Sequence, residues 1–221
     1  MRKIDILREL MILNDSLDTL QIESRFKRIT EILFESFAIQ KGDKKYLFKD
    51  IEFYFYNKNH RDIITHPRIS KPLCWYVNDF GGIDLNFASS IKYNIRLDNR
   101  GKKVKKYLLD DEAYFGGILI RQLVERESGE VLKGPLACAE LFRSYDAIGV
   151  GMNKDLPLLV ECDNEEVRKI LPKPRVNILK SSQQLKKKVD TILYLYHKPI
   201  DKEILYKEFE DFKDKLYRYE R

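Results

Sequence analysis

Apolar positions divide the chain into a helical entry, a β-rich middle and a helical end. Over residues 4–38, Ile4, Leu7, Leu10, Met11, Leu13, Leu17 and Leu20 recur at roughly the spacing of one helix face. Asn14-Asp15-Ser16 breaks that run, and a second helix is predicted over 19–37 because Ile22, Phe26, Ile29, Leu33 and Phe37 fall three or four apart. Gly42 and Asp43 mark a turn that ends the helical entry. Strands are then predicted near 47–56, 73–79 and 83–89. Residues 91–97 and 104–109 read as a hairpin around Asn99-Arg100-Gly101, and a further strand covers 115–124. Asp79-Phe80-Gly81-Gly82 is a tight turn, since glycine accepts positive φ without steric cost. Pro135 suits the first turn of a helix through about residue 145. Pro157, Pro172 and Pro174 punctuate a loop-rich connection with short strands over 146–180. Ser181-Ser182 then caps a helix reaching Tyr196, and Asp201 caps another reaching Tyr219.

The expected architecture is a single α+β domain with a central, mostly antiparallel, curved β-sheet flanked by N- and C-terminal helices. Its parts are a helical entry (1–40), a β-rich core (45–145), the loop-rich connection (146–180) and the C-terminal helices (181–221). A chain of 221 residues is long enough to bury a sizeable core. Hydrophobic residues at 43% and charged residues at 34% describe a soluble globular protein. No apolar run approaches the roughly 20 residues that cross a bilayer. The opening MRKIDILREL alternates charge instead of presenting a signal peptide's apolar centre. The expectation is a cytoplasmic chain with no membrane partner.

Candidate chemistry concentrates in residues 51–66, IEFYFYNKNHRDIITH, which hold two of the three histidines. A strand here sends Glu52, Tyr54 and Tyr56 to one face, and the following loop carries His60, Asp62 and His66. Two imidazoles and a carboxylate are ligand types that metal centres use. Their spacing matches no metal signature, however, and His197 sits in a distant helix, so no metal and no cofactor is expected. Cys74, Cys138 and Cys162 are widely spaced and form no C-x-x-C pair. A net charge of +6 and a pI near 9.0 favour polyanions. Residues 99–106, NRGKKVKK, hold five cations and no anion, and Lys186-Lys187-Lys188 follow later. They read as a solvated turn and helix face or as phosphate contacts. Arg121, within an aliphatic strand, needs a carboxylate or phosphate partner.

Four blocks in order resemble the alkyladenine (3-methyladenine) DNA glycosylase family over about residues 48–145. They are Ile51-Glu52-Phe53-Tyr54-Phe55-Tyr56 with His66 downstream, Trp75-Tyr76-Val77-Asn78-Asp79-Phe80-Gly81, Gly117-Ile118-Leu119-Ile120-Arg121-Gln122-Leu123, and Leu132-Lys133-Gly134-Pro135. The resemblance implies a metal-free enzyme that flips a damaged base out of duplex DNA and excises it with a carboxylate-activated water. On that reading Glu52 and His66 are catalytic, Tyr54, Tyr56 and Tyr76 stack on the base, and Phe80 is the DNA wedge. Arg121, Arg100, Lys102, Lys103, Lys105 and Lys106 would hold phosphates. The chain departs from the family where a second acidic residue is usual. Tyr54 stands there if Tyr56 aligns with the family's tyrosine; shifting the match makes Glu52 the base and Tyr54 that tyrosine. The alternative is a non-catalytic nucleic-acid-binding protein, or an interaction protein that docks through Tyr194, Tyr196, Leu205, Phe209, Phe212 and Leu216 of its C-terminal segment.

Overall fold

A computed structural model describes residues 2–78, 81–142, 156–164, 169–176, 182–196 and 201–221. The helical entry is two helices, α1 (Lys3–Leu10) and α2 (Thr19–Ser36). Asp18, just after the expected break, caps α2. Its carboxylate accepts from Gln21 N while the Gln21 side chain accepts from Asp18 N, so two otherwise orphaned donors are satisfied reciprocally. The entry does not end at the Gly42 turn as a helix. Phe37 already begins strand β1 (Phe37–Lys41), which turns through Gly42 into the long strand β2 (Lys44–Asn57). Gly42 carries φ +58, a left-handed conformation that glycine adopts freely.

The expected mixed α+β architecture is present, with helices flanking a large antiparallel sheet. The spine is β2 against β8 (Phe115–Glu125). From β8 the sheet continues through β5 (Ile83–Asn86) to β4 (Trp75–Val77), and from β2 through β1 to β10 (Leu158–Glu161). Short strands β3 (His60–Arg61), β9 (Val131–Lys133), β11 (Leu171–Lys173) and β12 (Arg218–Glu220) complete ten strands. Helix α3 (Pro135–Phe142) follows β9.

Two corrections concern the chain's end and the phase of β2. The last helix, α5 (Lys202–Lys213), stops well short of Tyr219; the chain becomes β12, pairing Arg218 with Glu52 and Tyr219 with Ile51. Alternation explains the change, because Tyr217 and Tyr219 pack edge-on against Phe26 and Phe53 while Arg218, between them, pairs with Asp50. In β2 the register against β8 shifts at Phe48/Asp50 and again at Asp50/Ile51. An irregularity of this kind exchanges the two faces of a strand. Tyr46 and Phe48 therefore share the apolar face with Ile51, Phe53 and Phe55 despite their opposite parity.

That apolar face is the main core. Phe26 of α2 stacks on Phe53 with centroids 4.4 Å apart, and Ile83, Leu85, Ile118 and Ile120 complete the layer. The opposite face of β2 carries Glu52, Tyr54 and Tyr56. Its far end is closed by a second apolar cluster, in which Tyr56 and Phe115 meet Val189 and Ile192 of α4 (Ser182–Leu195) and Leu205 and Phe209 of α5. Outside the main sheet, β6 (Lys92–Leu97) and β7 (Lys103–Leu108) form a two-stranded ribbon. Among the described residues, no helix is long and apolar enough to cross a membrane.

Candidate functional site

The face of the sheet opposite the main core is polar, which the sequence pattern hinted at only around Glu52. Strand pairing aligns Tyr76, Asp84, Leu119, Glu52 and Arg218 across five neighbouring strands. A polar layer inside a protein is stable only when its members largely satisfy one another, and here the buried carboxylates all find donors. Glu52 is completely buried. One carboxylate oxygen accepts from Tyr54 OH at 2.8 Å and the other from Val176 N at 2.7 Å, with Arg121 Nε 3.9 Å away. Burial first, and then the Glu52 carboxylate, push the Tyr54 phenol well above its ordinary range, so it remains a donor. Asp50, equally buried, takes a bidentate bond from Arg218.

Two further guanidinium groups cross this face. Arg175 donates to Asp62 at 2.6 Å and to the carbonyls of Phe53 and Phe212, and it lies 4.9 Å from the Tyr54 ring centroid. It thereby fixes the neighbouring Val176 N–H against Glu52. Arg68 pairs with Asp84, bonds Asn86 Oδ1 at 3.0 Å, and sits 4.4 Å over the Tyr76 ring. Asn78 Nδ2 donates to the other oxygen of Asp84 at 2.8 Å. Gly117 gives Arg68 its path, since a Cβ there would lie 3.0 Å from Arg68 Nη1 and from Leu85 O. The sequence reading missed Arg68, Asp84 and Arg175 because each lies in a segment with no motif. Buried charges become recognisable only once pairing sets them side by side.

The expected site residues separate into three groups. Glu52, Tyr54, Tyr76 and Arg121 share the polar face. Tyr56 does not join a pocket; it stacks on Phe115, 5.2 Å between centroids, in the second apolar cluster. His60 is likewise core, with its ring among Phe26, Phe212 and Tyr217 and Nδ1 3.2 Å from Thr19 Oγ1. Asn57, beside it, ties the α1–α2 connection by donating to the carbonyls of Asn14 and Leu17. Asp62 is committed to Arg175. Among the described residues no group of three histidine, cysteine or acidic side chains is placed to hold a metal ion. His66 lies at the surface, where its Nε2 accepts from Lys188 Nζ at 3.0 Å. Desolvation, then the Lys188 and Arg68 cations, hold its imidazole down to about 4, so it is neutral at physiological pH. No hydrogen bond or ion pair among the described residues joins it to Glu52. Phe80 lies outside the described residues.

Arg100, Lys102, Lys103, Lys105 and Lys106 are gathered on the β6–β7 ribbon, which is outside the main sheet that carries Glu52. Every residue of β6 is exposed. From Lys92 to Leu108 the ribbon carries seven cations against Asp98 alone. A lone two-stranded ribbon is marginal in water. This one is braced by α4, through a bridge between Tyr107 and Tyr196 and through Lys106 Nζ 3.7 Å over the Tyr194 ring. One ribbon face shows Tyr93, Ile95 and Leu97 with Lys103 and Lys105 opposite; the other shows Arg96 and Lys106. A projecting basic ribbon can follow a phosphate backbone or enter a groove.

No protein-family model matches the chain, and no solved structure matches it significantly. Part of the chain is similar to the uncharacterized protein L759 of Acanthamoeba polyphaga mimivirus, with 28% identity over 117 residues. That match covers 51% of this chain and 54% of the viral protein, so the chain spans about half the length of the relative it matches.

Proposed function

We propose that the protein binds nucleic acid through the β6–β7 ribbon, with Arg100, Lys102, Lys103, Lys105 and Lys106 contacting phosphates. The observation that carries this reading is the ribbon itself, exposed all along β6 and partly along β7, whose seven cations, of which Lys92 is paired with Asp110 and Glu112, face Asp98 alone within it. Phosphate contacts release counterions, so affinity should fall steeply with salt. Fluorescence anisotropy with an oligonucleotide duplex across a salt series tests this. Replacing Lys102, Lys103, Lys105 and Lys106 together by Gln should flatten the salt slope by roughly 0.9 for each phosphate left without its cation. Absence of binding at low salt, or an unchanged slope in the variant, would sink the proposal.

A second reading, base excision by a glycosylase-like site, is favoured by one observation: Glu52, Tyr54, Tyr76 and Arg121 share one sheet face. The 3.9 Å between Arg121 and Glu52 is an ion-pair separation that sets a cation beside the carboxylate without a direct hydrogen bond. Against it stand the complete burial of Glu52 and the occupation of both its oxygens, so hydrolysis requires Tyr54 or Val176 to move aside. Incubation with alkylated and deaminated DNA, followed by assay for released base, decides the matter. Release that disappears in Glu52→Gln would establish this second reading; no release from any substrate leaves the binding proposal alone.

A further inference from the structure

The outward face of α4 carries a feature that the ribbon proposal does not use. Gln183, Lys186, Lys187, Asp190, Thr191 and Tyr194 line a shallow groove, wide open to solvent, along one face of the helix. Helical spacing gathers these residues on one face, while Val189, Ile192 and Tyr196 turn inward to the second apolar cluster. At one end Tyr194 is exposed, and Lys106 reaches from β7 to lie against its ring. The corner between α4 and the ribbon thus combines two helix cations, a third from the ribbon, two neutral hydrogen-bonding side chains and one accessible aromatic ring. The groove's single anion, Asp190, faces Lys202 at 3.7 Å.

We infer that this corner binds an unpaired nucleotide, with Lys186 and Lys187 holding its phosphates and Tyr194 stacking on its base. The inference rests on the ribbon reading and narrows it from nucleic acid in general to a single strand. Stacking selects for an unpaired strand, because the face of a paired base is already covered by its neighbours, whereas any free base offers a π-face to tyrosine. In the unbound protein the Lys106 ammonium occupies one side of the ring; an arriving base takes that place and leaves Lys106 to a phosphate. Tyr93 and Lys105 make a similar cation–π contact, 4.6 Å from centroid, but on the opposite face of the ribbon, outside this corner.

The test uses the full chain, fluorescent oligothymidine and a duplex of equal length. Tyr194 is exposed, so Tyr194→Ala should leave folding intact, as checked by circular dichroism and thermal unfolding. It is expected to weaken single-strand binding about ten-fold, well beyond any loss of duplex binding that follows from removing one of the ribbon's two braces. Replacing Lys186 and Lys187 by Gln should lower the single-strand salt slope by roughly 0.7 for each phosphate left without its cation. Unchanged single-strand affinity in Tyr194→Ala would overturn the inference, as would equal binding of polyglutamate. If the ribbon variant loses duplex binding while both α4 variants bind normally, the ribbon reading stands and this one falls. If the wild-type chain binds neither oligonucleotide at low salt, both fall.

Discussion

Replacing Asp62 by Asn asks how the polar face is held together. The change keeps the shape of the side chain and removes the charge facing Arg175. Neither member of this pair has any side-chain exposure, so solvent cannot stand in for the missing carboxylate. Arg175 would retain the carbonyls of Phe53 and Phe212 and its contacts with the Tyr54 and Tyr217 rings. Among the described residues its Nε has no hydrogen-bond partner even in the intact protein, so no second acceptor is at hand to replace Asp62. Breaking one half of a buried pair costs about 3–5 kcal/mol. The retained carbonyls and rings argue for the lower end, about 3 kcal/mol. With a urea m-value of about 2 kcal/mol/M, the midpoint should fall by about 1.5 M at unchanged slope. The double variant Asp62→Leu, Arg175→Met removes both charges and should unfold within about 1 kcal/mol of the wild type. A single variant with an unmoved midpoint refutes the reasoning. A double variant as weak as the single one would refute it too, since the loss would then come from packing.

Two other perturbations probe the same layers. Gly117→Ala places a Cβ 3.0 Å from Arg68 Nη1 and from Leu85 O, tighter than ordinary contact. Displacing Arg68 from Asp84 should cost about 2 kcal/mol, a fall in Tm of roughly 4–8 °C by calorimetry; an unshifted Tm would show that Arg68 gives way freely. His60 is buried, and desolvation lowers its pKa from 6.5 to about 4. Its neutral form is favoured by folding, so its contribution is fully present above pH 6.5 and is lost as pH falls toward 4. The loss should amount to about 3 kcal/mol across that window. Urea unfolding at several pH values should give a flatter profile for His60→Leu than for the wild type; parallel profiles would remove His60 as the cause.

Much of the sheet was legible because alternation and turn chemistry are local. The hairpin around Asn99-Arg100-Gly101 appears as β6 and β7, and the aliphatic run after Tyr114 appears as β8. Three features were not legible, each for a physical reason. The phase change in β2 is a pairing event, and nothing in Lys49 or Asp50 announces it. β12 lies in a stretch whose apolar spacing also fits a helix, and only the contacts of Tyr217 and Tyr219 with Phe26 and Phe53 decide between them. The arginines of the polar face come from three distant segments, around positions 68, 175 and 218, and meet their carboxylates only in the folded chain. Of the residues that the sequence singled out for the site, Glu52, Tyr54, Tyr76 and Arg121 do share one face. Tyr56 does not belong with them, because the same alternation carries it one step further, beneath α4 and α5.

The polar face and the ribbon make opposite demands on charge. Asp50, Glu52, Asp62 and Asp84 are all buried, with Arg218, Tyr54, Arg175 and Arg68 as their partners. Buried pairs add little net stability over apolar substitutes. Their directionality does something that apolar contact cannot. A guanidinium fits a carboxylate in few orientations, and one step of register removes the fit. β12 is pinned in this way to β2 by Arg218 and Asp50, the segment carrying Arg175 to the loop of Asp62, and the loop of Arg68 to β5 by Asp84. Stability comes from the Phe26–Phe53 layer on the other side, and the polar layer fixes which segments lie over the sheet. Lys102, Lys103 and Lys105 of the ribbon and Lys186 and Lys187 of α4 are instead exposed. Their exposure leaves them open to an outside anion, whereas the burial of Glu52 and Arg175 does not. Charge on this protein is therefore committed inward on the sheet and offered outward on the ribbon, which is why the proposed contacts with nucleic acid are placed there.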